Sequence, residues 1–97
     1  RLADAFAILP GGFGTLEEFF EILTWKQLGL HSRPIIVANT GGWFDPLKEY
    51  CLSACDWGAL TRRNLSLFSI VDSAPEVVDA LQRRRVPRAA PGRLSRT

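Results

Sequence analysis

Three short apolar runs, Ala5–Leu9, Pro34–Ala38 and Leu65–Val71, are each followed by a stretch with helical spacing. No other feature limits the fold as much. A short continuous apolar run suits a strand buried on both faces of a parallel sheet. Alternation of such strands with helices of ten or more residues gives β-α-β-α-β-α order and an α/β fold. The first helix is expected from Thr15 to about Leu28. Leu16, Phe19, Phe20, Leu23 and Gln27 follow its 3–4 spacing, and Gly29 can end it. The second runs from Asp45 to about Trp57, with Asp45 as cap candidate and Pro46 in the first turn. The third starts at Ser73 or Ala74, with Pro75 in its first turn, and reaches about Arg85. Three strands make a small sheet. The chain also lacks Met and opens almost directly into a strand, so a partial domain over residues 1–85, with its beginning upstream, is expected.

Charge divides the chain in two. Residues 1–82 hold six Lys or Arg against ten Asp or Glu, a net −4; residues 83–97 hold six Arg and no acid, a net +6. The stretch 86–97 combines Pro, Gly, Ala and Arg without periodicity and is expected to be a basic disordered tail. Arginines can neutralise phosphates, but a tail without aromatics on an acidic body gives no case for specific nucleic-acid binding. No apolar run approaches the roughly 18 residues of a membrane span, and no secretory signal pattern opens the chain. Cys51 and Cys55 stand four apart on the second helix. One such pair, with no His or further Cys nearby, reads as small core residues rather than a zinc site or a disulfide. A cytoplasmic location is the expectation, with no metal and no cofactor.

The first strand ends in Leu9-Pro10-Gly11-Gly12-Phe13-Gly14-Thr15-Leu16-Glu17-Glu18. In an open α/β sheet, ligands bind beyond the carboxyl ends of the strands. Gly11, Gly12 and Gly14 lie at such an end, where lack of a Cβ lets the backbone turn tightly and approach a ligand. The helix that follows aims its N–H groups and dipole at the same place, which favours an anion. The stretch matches neither G-x-G-x-x-G nor the Walker lysine motif, so a monophosphate suits it better than a triphosphate. Thr15 with Glu18 has the spacing of a capping box. The same position also lies close to whatever carries the phosphate. If that is a ribose, a glutamate there can face C1′ and stabilise an oxocarbenium-like transition state or activate water. Asn39–Trp43 ends the second strand on the same side, and its glycines can contact a nucleotide. His31 reads as a structural turn residue, and Arg62 and Arg63 as a solvated patch.

Pro10–Glu18, PGGFGTLEE, resembles the PGGxGTxEE signature of the LOG family, the cytokinin riboside 5′-monophosphate phosphoribohydrolases. Ala3–Phe6, Glu21–Ile35 (EILTWKQLGLHSRPI), GGWFDPL and DSAPEVVDAL extend the resemblance over roughly Leu2–Leu81. It implies a Rossmann-like parallel sheet with flanking helices, and a homodimer or higher homo-oligomer. It also implies hydrolysis of the N-glycosidic bond of an N6-modified or plain adenosine 5′-monophosphate to free base and ribose 5-phosphate. Carried over by position, Gly11, Gly12, Gly14 and Thr15 would hold phosphate and ribose. Glu18 would be the catalytic carboxylate, with Glu17 beside it as a binding or dipole-favouring acid. Trp25 and Gln27 would lie near a dimer interface and pocket, or simply on a packed helix face.

The family's other catalytic residue is an arginine in an M-x-x-R-K segment before the motif. Arg1 is too close to Pro10 to be that residue, so the arginine is expected upstream and the piece alone is expected to be inactive. Members of the family have also been labelled lysine decarboxylases, but neither Lys26 nor Lys48 has the setting of a pyridoxal phosphate Schiff base. Two alternatives remain. One is a non-catalytic nucleotide or molybdenum-cofactor carrier of the same fold. The other is an inactive truncated fragment.

Overall fold

The computed structural model describes residues 4–84; the expected basic tail, 86–97, lies outside them. Strands β1 (Phe6–Ile8), β2 (Ile35–Ala38) and β3 (Ser69–Val71) form a parallel sheet in the order β1-β2-β3. Phe6 pairs with Ile35, Ile8 with Val37, and Ala38 with Val71. Helices α1 (Phe13–Gln27) and α2 (Asp45–Asp56) make the two crossovers, and α3 (Ala74–Arg84) follows β3. This is the expected α/β fold with flanking helices.

Alternation along the strands sorts the side chains into two layers. Ile8, Ile35, Val37 and Ile70 meet Phe19 and Ile22 of α1 together with Phe44 and Phe68. Ile36, Ala38 and Val71 meet Val77 and Ala80 of α3 on the opposite face. The first layer centres on three aromatic rings. Phe19 stands edge-on to Phe44 and Phe68, with centroids 5.5 and 5.4 Å away, and Phe44 and Phe68 are 5.9 Å apart. All three are at most 2% exposed.

Four expectations need correction. β1 is buried on one face only, because Ala7 is exposed; α3 packs on β2 and β3 and leaves that side of β1 uncovered. The third apolar run does not form one strand. Arg62–Leu67 is a 3₁₀ helix, and only Ser69–Val71 pairs with β2. Thr61 caps that turn: its hydroxyl accepts from the Asn64 N–H at 3.2 Å, and Asn64 Oδ1 accepts from the Thr61 N–H at 3.0 Å. This reciprocal pair outweighs the apolar pattern of Leu65 and Leu67. On α1, Ile22 rather than Phe20 joins Phe19 in the core, and Phe20 is 39% exposed. Asp45 does not cap α2. It is the helix's first residue, and its carboxylate accepts from Asn39 Nδ2 at 2.8 Å.

His31 is structural, as expected. Its Nδ1 accepts from the Arg33 N–H at 3.0 Å, so Nε2 carries the proton and donates to the Ile22 carbonyl at 2.9 Å. The ring also packs against Phe6. Cys51 is buried and Cys55 partly so, and both are free thiols. Burial, and then the neighbouring Cys55, push the Cys51 thiol above its ordinary pKa.

Two measurements check this packing in the complete gene product. Phe19→Ala should lower unfolding free energy by about 3–5 kcal/mol, read from denaturant titration. At pH 8, Cys55 should react with a disulfide reagent well before Cys51, because the reactive species is the thiolate and Cys51 is both buried and held protonated.

Candidate functional site

The register brings the carboxyl ends of all three strands to one edge of the sheet. Two glycine turns emerge there side by side, Pro10–Gly12 after β1 and Thr40–Gly42 after β2. The site residues expected from the sequence all belong to the first turn and the start of α1.

α1 begins two residues before the expected Thr15. Gly12 is its N-cap, and no side chain caps it. Thr15 therefore lies inside the first turn, and the capping box with Glu18 does not form. The first intrahelical bond runs from the Leu16 N–H to the Gly12 carbonyl, 3.1 Å. Helix geometry leaves the preceding N–H groups, those of Phe13, Gly14 and Thr15, directed out of the helix end. No acid occupies this first turn, so the positive end of the dipole is unneutralised there.

The glycines divide by what a side chain would meet. A Cβ on Gly11 would collide with the Thr15 hydroxyl, which lies directly over it. Gly11 is thus glycine because the chain folds back on itself. Gly12 and Gly14 are different: a Cβ on either meets nothing within 4 Å, and neither has a positive φ. Gly14 even sits in a helix, where glycine costs about 1 kcal/mol relative to alanine. No neighbouring side chain accounts for either, although the Gly12 backbone (φ −105°, ψ −142°) lies outside the helical and extended regions. Both leave room for a group from outside the chain to approach the backbone closely.

The helix also separates the two glutamates. At 3.6 residues per turn, Glu18 lies three residues beyond Thr15 and four beyond Gly14, on the flank that borders the turn. Glu17 lies four beyond Phe13, which is 92% exposed, and faces away from the core with it. Glu17 and Glu18 therefore both follow the free N–H groups by three or four residues, and Glu18 is the one that does so from Thr15. Trp25 is 44% exposed and Gln27 is exposed, so neither belongs to a face packed within the chain. Gln27 and Phe20 instead border an apolar cavity of about 250 Å³ between α1, α2 and the 3₁₀ helix, with Leu23, Tyr50, Cys51 and Leu65.

The second turn is tied down by Asn39, a clamp that no motif or spacing pointed to. Asn39 Oδ1 accepts from the Phe44 N–H at 2.7 Å, and Nδ2 donates to Asp45. Its carbonyl accepts from the Gly42 N–H at 3.0 Å, and its own N–H donates to the Val71 carbonyl at 2.7 Å. Gly41 and Gly42 have φ of 67° and 77°, the left-handed region that favours glycine. Trp43 Nε1 donates to the Ala38 carbonyl at 2.6 Å.

Comparison with known proteins finds relatives over most of the chain. A family model described as "Possible lysine decarboxylase" matches residues 1–81. Cytokinin riboside 5′-monophosphate phosphoribohydrolase LOG2 of Arabidopsis thaliana is 38% identical over 82 residues, which cover 84% of this chain and 38% of that protein. The rice (Oryza sativa subsp. japonica) protein of that activity, LOG, is 39% identical over 82 residues, 84% of this chain and 34% of its own length. The protein so named from Rhodococcoides fascians is 50% identical over 61 residues, 63% of this chain and 31% of its own. The chain spans about a third of the length of these relatives.

The two kinds of glycine predict opposite outcomes in the complete gene product. Gly11→Ala should lower the melting temperature by several degrees, because Thr15 must move. Gly14→Ala, within the helix, should not lower the melting temperature yet weaken binding of ribose 5-phosphate, measured by calorimetry, by roughly tenfold or more, the scale of one lost hydrogen bond to a charged group.

Proposed function

The chain belongs to the LOG family, which the matching family model describes as possible lysine decarboxylase, and on that premise we propose that its protein is a nucleoside 5′-monophosphate phosphoribohydrolase. The substrate is an adenosine 5′-monophosphate, N6-modified in the cytokinin-activating form of the reaction. Water adds across the N-glycosidic bond, giving free base and ribose 5-phosphate.

The observation that carries this reading is the open space in front of Gly12 and Gly14 beside the uncapped start of α1. The phosphate takes the N–H groups of Phe13, Gly14 and Thr15, with the helix dipole behind them. Glu18, on the same flank, faces C1′. As the C1′–N bond breaks, its electron pair leaves with the base and positive charge builds on the sugar. The carboxylate stabilises that charge and takes a proton from the attacking water. The departing base takes up a proton as it leaves. Glu17 lies outside this contact and adds negative potential to the second turn of α1. Hydrolysis suits this arrangement better than decarboxylation through a lysine. The first two turns of α1 hold acids and no lysine, and Lys26 is in its last turn.

The assembly in this reading is a homodimer or higher homo-oligomer. The apolar cavity beside α1, with Phe20 39% and Tyr50 57% exposed along it and Trp57 packed on Tyr50, is the surface we assign to a second copy. Two free thiols suit a reducing, cytoplasmic compartment. Among the described residues no helix is long and apolar enough to cross a membrane.

The test is release of free base from AMP and from isopentenyladenosine monophosphate by the complete gene product and its Glu18→Gln variant. The parent should release base. The variant, which keeps size and loses charge, should fall by about two orders of magnitude or more in kcat, the scale of a general acid or base. Equal activity in both removes Glu18 from the chemistry. Tight binding without release by the parent would make the protein a nucleotide carrier.

A further inference from the structure

Asp45 has a carboxylate with one oxygen engaged and one not. Oδ1 accepts from Asn39 Nδ2 at 2.8 Å. Oδ2 has no donor among the described residues, and it lies where a Cβ on Gly42 would come within 2.8 Å. The side chain is exposed at the start of α2, at the carboxyl end of β2 and one strand from the Gly11–Thr15 turn. Asn39 spends its side-chain amide and carbonyl on holding Asp45 and Phe44 in place. The positive φ of Gly42 and its missing Cβ make room for the carboxylate.

A fixed carboxylate oxygen with a free lone pair repels a phosphate and attracts a hydroxyl donor. The substrate in the proposed reaction carries both, the phosphate at one end of the ribose and a diol on its other edge. We propose that Asp45 is a ribose-recognition residue whose Oδ2 accepts a hydroxyl of the nucleotide's ribose diol, and that Asn39 is the positioning residue that aims it. This rests on the nucleotide reading above and extends it. The β1 turn takes the charged end of the substrate and the β2 turn takes the neutral sugar edge. Gly41, whose Cβ would meet nothing within 4 Å, leaves the approach to that edge open.

The test compares AMP with 2′-deoxy-AMP and 3′-deoxy-AMP on the complete gene product. A hydrogen bond to a charged acceptor is worth roughly tenfold or more, so the parent should prefer AMP over one deoxy analogue by about that factor in kcat/KM. Asp45→Ala should bring the two within about threefold by losing activity on AMP alone. Asp45→Asn keeps the bond to Asn39 and places an amide where Oδ2 was; it should lose part of the preference with little change in melting temperature, and it serves should Asp45→Ala not fold. A merely structural Asp45 would lower activity on all three nucleotides by one common factor, and that result overturns the proposal, as does a parent with no preference. If the parent releases no base, the hydrolase reading falls separately. Binding of the same three nucleotides by calorimetry then reads the ribose contact: preference for AMP in the parent and none in Asp45→Ala supports it, and equal affinities or no binding by the parent overturn it.

Discussion

The edge-to-face packing of Phe19, Phe44 and Phe68 is the contact on which the rest of this structure depends. Each ring comes from a different segment, and each segment leads directly into functional ground. Phe19 follows Glu18 on α1, so burying its ring fixes the rotation of the helix and with it the directions of both glutamates. Phe44 sits between the second turn and Asp45, and its N–H is the group that Asn39 accepts. Phe68 joins the 3₁₀ helix to β3. Edge-to-face aromatic pairs contribute about 0.5–1.5 kcal/mol each beyond simple burial, but their larger effect is geometric. Three interlocked rings leave little freedom to the turns at the strand ends.

On that base the two glycine turns follow different physical rules. Gly11 and Gly42 are glycines for internal reasons: a side chain on the first would strike Thr15, and one on the second would press on Asp45. Gly12 and Gly14 meet no neighbour, and neither has a positive φ. A helix that begins with glycine at its cap and again in its first turn gives up local stability. It gains bare N–H groups and room in front of them. In the proposed function, close approach by a phosphate would explain the trade on the β1 side, and the carboxylate beside the β2 turn would give the opposite polarity one strand away. The two turns together suit a molecule with a charged end and a hydroxylated middle.

Much of this was legible from residues alone. The β-α alternation, the helix with Pro46 in its first turn, and the ligand side of the sheet all follow from local patterns that the tertiary structure leaves intact. What was misread was decided by hydrogen bonds between particular side chains and backbone. Thr61 and Asn64 turned an apolar run into a 3₁₀ helix, because reciprocal capping satisfies backbone groups that a strand there would have to pair elsewhere. Thr15 and Glu18 had the letters of a capping box, yet α1 starts at Gly12, whose carbonyl already accepts the first helical bond. Asp45 looked like a cap because of its place before Pro46; only the folded turn shows that Asn39 claims its carboxylate.

The most direct measurement is a crystal structure of the complete gene product with AMP bound to its Glu18→Gln variant. The phosphate should lie against the backbone N–H groups of Phe13, Gly14 and Thr15, within about 3 Å, with residue 18 facing C1′ on the Thr15 flank. A phosphate bound elsewhere, or Glu17 in place of residue 18 at C1′, would contradict the account.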